Sequence, residues 1–485
     1  MAACIAWLII LAMEGQAMHP ERYFSSDPIV RGLAVELYES IRYLPILCPH
    51  GHVDAQLFVD PNQRFGNPTE LFITPDHYLI RALYAHGIAL EALGIQACNG
   101  DKTDLETDPK RVWKLFCSNF HIFAGTPTGL WVREELAGVF GFNEIPSAKN
   151  ADHLYLQLSE MLQSEHYSPR RLYERFNIEA LCTTDAATDN LSAHQALQKQ
   201  TWSGRILPTF RPDKLIDLEN PTWITELAKL EALSGKEITT FSNFIRSLED
   251  RRAFFIQIGA KASDHGVRSP YTAEFSPAEI ESIFQRALRG SLDADDARKF
   301  SAQMLMEMAR MSCEDGLVMQ VHAGSYRNHN QPLFEKFGPD MGADIPVRSE
   351  FTQNLAPLLC KFGNSKNLTL VLFTLDESCY GRELAPLAGH YPAVKLGPPW
   401  WFFDSLNGIQ RYFDAVVETA GFYNLAGFND DTRAFCSIPA RHDLWRRASA
   451  NWLAGQAARH MLDMRDAKFI AQELAYGLAK RTYNL

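Results

Sequence analysis

The sequence predicts an α/β protein built as a closed (β/α)8 barrel of the TIM type, with a mostly helical insertion after the first strand. Three observations carry that prediction. Short β-rich runs, each closing in polar or glycine-containing residues, recur eight times along the chain. Helix-like segments separate the runs, and each run is nearly continuously apolar, as strands of a parallel sheet covered on both faces must be. Polar residues gather at the C-terminal ends of the runs, where the βα loops of a barrel converge.

The first run is "LPILCPHGHVD" (44–54). Alternation along a strand puts residues i and i+2 on one face, so His50 and His52 point the same way. Residues 55–177 then separate the first run from the second, far more chain than one crossover needs. Helical patterns fill the interval ("DPKRVWKLFCSNF", "NADHLYLQLSEMLQ", "SPRRLYERF"), which reads as an insertion over the first βα loop. The second run is "IEALCTTDAATDN" (178–190), and the third, "RILPTFRPDK" (205–214), ends in Arg211 with Asp213 following. The fourth, "AFFIQIGAKASDHG" (253–266), carries Lys261, Asp264 and His265 at its expected end. The helix after it, "FSPAEIESIFQRALRG", opens with a serine cap and a proline in the first turn.

His322 ends the fifth run, "GLVMQVHAGSYRN" (316–328), with Arg327 just beyond. The sixth, "LTLVLFTLD" (368–376), has no histidine. The seventh, "AVKLGPPWWF" (393–402), ends in Trp400 and Trp401 and leads into the helical "SLNGIQRYFDAVVETAG". The eighth, "LAGFNDDTR" (425–433), carries Asp430, Asp431 and Arg433.

Composition agrees with a globular enzyme-sized chain: 485 residues, 46% hydrophobic, formal net charge -11. No repeat, low-complexity tract or composition shift marks a linker, so residues 18–485 are expected to form one barrel domain, with the helical insertion at about 55–177. Residues 1–17, "MAACIAWLIILAMEGQA", have an apolar core like that of a signal peptide. They lack a Lys or Arg ahead of it and are too short to span a bilayer, so the adopted reading is an upstream start before Met18. Nine scattered cysteines without a C-x-x-C pair read as free thiols in a reducing compartment, and the expected location is cytoplasmic. With no basic stripe on an acidic chain, nucleic acid is not an expected partner, and nothing points to a membrane.

Barrel closure sets strand eight beside strand one, so Asp431 would stand next to His50 and His52. Two imidazoles and a carboxylate suit Zn2+ or a similar divalent ion and leave a position for water or substrate. His322, from across the barrel mouth, is a further ligand or a hydrogen-bonding group. Each feature also has a plainer reading. A lone H-x-H is weak evidence, tandem tryptophans usually pack, and arginines usually pair with surface acids. Their placement on one face of one architecture favours the metal site.

"CPHGHVD", "TPDHYLIRALYAHGI", "LCTTDAATDNLSAH", "LPTFRPDK", "VMQVHAGSYRNHN", "KLGPPWWFFD" and "NDDTRAFCSIPARHDLWRR" occur in the order seen in uronate isomerases. From about residue 20 to its C-terminus the chain resembles this family, also called glucuronate isomerases, a branch of the amidohydrolase superfamily. The resemblance implies a distorted (β/α)8 barrel that interconverts D-glucuronate with D-fructuronate, and D-galacturonate with D-tagaturonate. It implies one divalent metal ion, zinc being expected, held by His50, His52 and Asp431 with His322 close by. His77 and Tyr78 match a pair on the long loop after strand one. Arg211, Arg327, Arg433, Trp400 and Trp401 match active-site positions. A hexuronate is the implied small-molecule substrate, and a homo-oligomer the implied assembly.

Three departures stand out: His50-Gly51-His52 where the family usually has H-C-H, "GPPWW" for "GSGWW", and "ARHDLWRR" for "TRHEYFRR". The missing histidine on strand six argues against a two-metal centre and against Lys261 as a bridging ligand. An aldose–ketose isomerisation moves a proton between C2 and C1 through an enediol. Asp431 is assigned ring opening or proton movement at oxygen, and Tyr78, beside His77, the carbon proton shuttle. The arginines are suited to the substrate carboxylate. Two rival readings are a metal-dependent hydrolase on the same barrel, with Asp431 activating water, and a non-catalytic sugar-acid-binding barrel.

Overall fold

The computed structural model describes residues 18–485. The apolar stretch Ile46–Cys48 forms β1, with all three residues buried. It pairs in parallel with β2 (Ile178–Cys182), which carries on after a short break as β3 (Asp185–Ala186). The next strand is likewise in two pieces, β4 (Ile206–Leu207) and β5 (Phe210–Arg211). Backbone bonds from Thr183 N to Leu207 O (2.9 Å) and from Asp185 N to Thr209 O (3.0 Å) carry the ladder across both breaks. β6 (Ala262–Val267), β7 (Val318–Ala323) and a short antiparallel hairpin, β8 (Ser325–Tyr326) with β9 (Ile345–Pro346), follow. β10 (Leu370–Thr374) and β11 (Val394–Leu396) complete the set.

Lateral order runs β1-β2-β4 in one sheet and β11-β10-β7-β6-β5-β3 in the other, every pair parallel. The eighth run closes the ring with few contacts. Leu425 bridges Leu396, Ala426 N donates to Leu396 O (2.8 Å), and His52 N donates to Thr432 O (2.9 Å). Its ladder is short because the chain leaves the extended region at Asp431, whose φ is 44°.

One expected strand begins later than the sequence suggested. "AFFIQI" (253–258) is the last part of an α-helix, Phe241–Ile258, that ends at Gly259 with φ 106°. Short apolar runs read equally well as helix or strand. Here Phe255 is fully buried while Ile256 is 37% exposed, the one-sided burial of a helix. Lys261 therefore precedes β6, at the opposite end of the barrel from the histidines, and takes no part in the cavity they share. The two helices read from sequence are present. Pro277–Leu288 has Ser276 and Glu279 in a reciprocal capping box, and Leu406–Ala420 is capped by Ser405.

Between β1 and β2 lie helices His77–Ala85, Pro109–Ser118, Pro127–Glu134, Ala151–Gln163 and Pro169–Arg175. Prolines open three of them, behind Asp108, Thr126 and Ser168 caps. They pack around Trp113, Phe116, Phe123, Leu154 and Leu158, in a core that continues into the barrel through Ile46 and Cys48 of β1 and Ile178 and Leu181 of β2. The barrel lumen is narrow and filled by Leu47, Ala180, Ala262, Val318, Val371, Phe373 and Ala426, with Tyr483 and Leu485 packed against them. Tyr483 donates to Gln320 Oε1 (3.0 Å). Among the described residues no helix is long and apolar enough to cross a membrane, and the eight described cysteines are unpaired. The signal-like stretch 1–17 lies outside the described residues.

Gly397, just after β11, leaves room for the Phe373 ring. A Cβ there would sit 2.3 Å from two ring carbons. Phe373 in turn stacks on His322, with centroids 4.0 Å apart. Gly397→Ala is expected to cost about 1–3 kcal/mol by overpacking and to lower the thermal midpoint. An unchanged Tm would show that the ring yields freely.

Candidate active site

β1 delivers His50 to the barrel mouth, and the chain leaves the strand so that His52 follows on the same side. Asp431 meets both: His50 Nε2 lies 3.4 Å and His52 Nε2 3.2 Å from its Oδ1. Asp431 holds a left-handed backbone conformation that a non-glycine residue seldom adopts, and the strain aims its carboxylate at the two rings. His322, near the end of β7, lies between the ring of His50 (4.6 Å) and Phe373. Its Nδ1 hydrogen-bonds Asp264 Oδ1 at 2.7 Å, and its Nε2 is buried without a partner.

Ligand atoms of His50, His322 and Asp431 lie within 4.8 Å of one another, and His52 is tied to them through Asp431. This donor set fits a divalent ion. A metal-binding imidazole commonly gives its other ring nitrogen to a carboxylate, and His322 does the same to Asp264, which leaves the Nε2 lone pair available for a cation. Electrostatics agree. Burial opposes protonation of His50, yet the Asp264 and Asp431 carboxylates outweigh it and pull its pKa up, so the spot favours a positive charge. Burial also opposes ionisation of Asp431, but the His50 and His52 imidazoles hold its carboxyl well below the usual range. His52 is pushed down to about 4 by burial and is neutral at pH 7. A Cβ at Gly51 would meet only ordinary contacts at 3.6–3.7 Å, so glycine there is not what shapes the ligands.

Above this floor opens a cavity of about 780 Å³ whose lining includes His52, Tyr78, Arg211, Arg327, Trp401 and Asp431. Arg211 leaves β5 with Nε on Asp213 Oδ2 (2.7 Å) and Nη1 3.3 Å from Asp264 Oδ2. Arg327 pairs with Asp344 (3.1 Å), and Arg433 with Asp340 (3.1 Å). Gly266 explains how two guanidinium groups come together. A Cβ there would stand 2.8 Å from Arg211 Nη2 and 3.0 Å from Arg327 Nη2, so the bare backbone lets both forks converge.

His77 and Tyr78 open the helix His77–Ala85, capped by Asp76. Tyr78 packs edge-on against Trp401 (4.3 Å) and Trp131 (5.4 Å), and His77 meets Trp401 at 4.4 Å. Burial, with Arg433 nearby, pushes His77 down to about 3, so this imidazole is neutral at physiological pH. Trp401 has φ 60° and donates from Nε1 to Asp344 O (3.2 Å), while Trp400 lies 4.8 Å from His322. Both tryptophans thus stand at the cavity wall. His265 does not reach it: it alternates with Asp264 on β6, is fully buried, and contacts Ser263 Oγ at 3.2 Å.

A profile of the glucuronate isomerase family matches residues 24–483 of the chain. This chain belongs to that family. It is 53% identical to a uronate isomerase of Nostoc punctiforme over 468 residues, which is 96% of this chain and 98% of that protein. A uronate isomerase of Brucella canis is 48% identical, with 97% of this chain and all of that protein covered. The crystal structure of glucuronate isomerase from Caulobacter crescentus superposes with a TM-score of 0.94 at 44% identity, covering 96% and 97% of the two chains.

Sequence reasoning gave Asp264 no role beyond its place at the strand end, and it passed over Asp404 and Arg441 altogether. Both sit beyond the strand ends, Asp404 in the turn after the tryptophans and Arg441 inside the long helix Ile438–Ala458. Arg441 is only 3% exposed, within a helix buried on nearly every side. Its charge among apolar neighbours ("IPARHDLWRR") was the available signal. A second buried group, Cys48, Asp430 and His442, lies next to the ligand set and ties this helix to the eighth run through His442 Nε2 and Asp430 Oδ2 (3.3 Å).

Asp264→Asn keeps the shape but removes the charge that orients His322. Metal affinity is expected to fall roughly 10–100-fold, read by elemental analysis after dialysis against graded chelator. Wild-type retention would mean that His322 is not oriented through Asp264.

Proposed function

We propose that this protein is a uronate isomerase that interconverts D-glucuronate with D-fructuronate, and D-galacturonate with D-tagaturonate. The observation that carries the reading is the meeting of three groups in one cavity: Asp431 between two histidines, a phenol at the wall, and paired guanidinium forks over Gly266. Family membership over nearly the whole chain supports it. Hydrolysis asks for neither the phenol nor the converging arginines.

His50, His52 and Asp431, with His322 beside them, would hold one divalent ion, zinc being favoured by an imidazole-rich donor set. When bound there it would supply Lewis acidity for the carbonyl and hydroxyl oxygens of the open-chain sugar. Asp431, ionised at neutral pH, takes and returns protons at oxygen during ring opening and in the enediol. Tyr78 carries the proton between C2 and C1. Arg211 and Arg327 clamp the C6 carboxylate, since their forks approach each other closely enough to share one anion. Arg433, which lines the same cavity as His52 and Asp431, faces the charge that develops on the enediolate oxygens. Trp400 and Trp401 wall off water.

The purified chain, offered each acid separately, is expected to form ketohexuronate, followed with a nicotinamide-linked reductase, and to contain about one divalent ion per chain. No turnover of either acid by metal-loaded protein would overturn the reading in favour of a hydrolase. Tyr78→Phe is expected to lose at least about 100-fold in kcat, and wild-type turnover would remove Tyr78 as the shuttle. Arg211→Met and Arg327→Met should each erase the preference for an aldohexuronate over the matching aldohexose. An intact preference in both would remove the clamp.

A further inference from the structure

We propose that Asp404 is the internal proton acceptor for Tyr78: it takes the phenolic proton when Tyr78 acts as a base and hands it back afterwards, with Arg441 holding the charge constant. This rests on the reading of Tyr78 as the carbon proton shuttle. Asp404 follows the short turn Trp401–Phe403. Tyr78 Oη donates to Asp404 Oδ2 at 3.0 Å, and Arg441 Nη1 donates to the same oxygen at 2.9 Å. The other carboxylate oxygen, Oδ1, is buried without a partner, so Tyr78 and Arg441 are the side chains that hold this carboxylate and Oδ2 is the oxygen that would receive the proton.

Arg441 cannot swing away. It lies 3.7 Å above the Trp131 ring and 4.9 Å from that of Tyr78, and it also donates to Asp430 O (3.1 Å). Tyr78 and Arg441 line the cavity, and Asp404, at the hydroxyl end of the phenol, does not. The proton thus has a place to go outside the cavity lining.

Charge balance is what makes this acceptor useful. Burial, reinforced by Asp404, holds the phenol well above its ordinary range, so losing the proton to solvent would leave an unbalanced buried charge. Passing the proton to Asp404 creates no net charge, because Arg441 neutralises whichever partner is the anion. Burial raises the Asp404 carboxyl to about 7, closer to a phenol than an ordinary carboxylate is. The groups that face Asp404 are Tyr78 and Arg81 from the helix His77–Ala85, Arg441 from the helix Ile438–Ala458, and Asp431 from the barrel mouth, while Asp76 faces Arg441 and Arg81.

The steps balance. The Oη–H bond breaks as an Asp404 O–H bond forms, and the phenolate lone pair takes the proton from C2. The C2–H electron pair becomes the C1–C2 double bond, and the C1 carbonyl π pair moves onto O1. Asp431 moves the C2 hydroxyl proton to O1. Oη then gives its proton to C1, the C2 carbonyl forms, and Asp404 returns the stored proton to Oη.

Asp404 must begin ionised, so kcat should fall as pH drops below the raised carboxyl value of about 7 and level off above it. The test measures kcat and KM for ketohexuronate formation by the full chain across that range, for wild type, Asp404→Asn, Asp404→Glu and Tyr78→Phe. Asp404→Asn is expected to lower kcat about 100-fold with KM within about threefold, and to abolish the acid limb. Asp404→Glu, with the carboxylate retained, should keep the limb at reduced kcat. If Asp404→Asn fails to fold, the glutamate variant decides, and loss of its limb overturns the proposal. A wild-type profile in Asp404→Asn, or a parallel loss in kcat and KM with the acid limb intact, overturns it while Tyr78 stands, provided Tyr78→Phe is inactive. Full turnover by Tyr78→Phe overturns the shuttle reading and this proposal with it.

Discussion

The backbone hydrogen bond from His52 N to Thr432 O, 2.9 Å long, is the contact on which the site depends. Chain segments almost 400 positions apart meet there, and the meeting converts two isolated strand ends into one donor set. The eighth run contributes little other ladder, so the helix behind it does the holding. His442 on Asp430 and Arg441 on Asp430 O fasten that helix to the segment carrying Asp431. A short run with a strained aspartate is tolerable because the helix Ile438–Ala458 over-determines its position.

Charge is arranged with similar economy. Arg211, Arg327 and Arg433 each have a carboxylate partner, in Asp213 and Asp264, Asp344, and Asp340. A guanidinium has five N–H groups, so one carboxylate along an edge leaves donors for a ligand. The acids hold the forks in place before anything binds and offset like-charge repulsion where Arg211 and Arg327 converge. Asp264 serves two ends at once, orienting His322 and steadying Arg211, which couples the histidine cluster to the arginine wall.

Much of the barrel was legible because its signals are local. Continuous apolar runs, a capping box at Ser276 and proline-opened helices each report on a few neighbouring residues. Where two structures satisfy the same local pattern the reading failed, as at "AFFIQI", whose one-sided burial is set by what packs against it. In the same way His50, His52 and Asp431 could be paired by the rule that strand eight closes on strand one. Asp404 and Arg441 could not, because their meeting with Tyr78 depends on the angle at which an insertion helix crosses the barrel mouth. No spacing in the sequence encodes that angle.

That insertion helix bridges two cores. Tyr78 packs with the barrel's outer core, while Leu79, Ile80 and Leu83 of the same helix belong to the core of the insertion. That second core also contains Ile46, Cys48 and Val53, on either side of His50 and His52, so the helix that carries the phenol and the segment that carries the histidines rest on one continuous apolar body. Local openings within one chain span a range of free energies, and an opening of this shared core moves both together. On warming, the phenol wall and the His–Asp cluster would come apart in a single step.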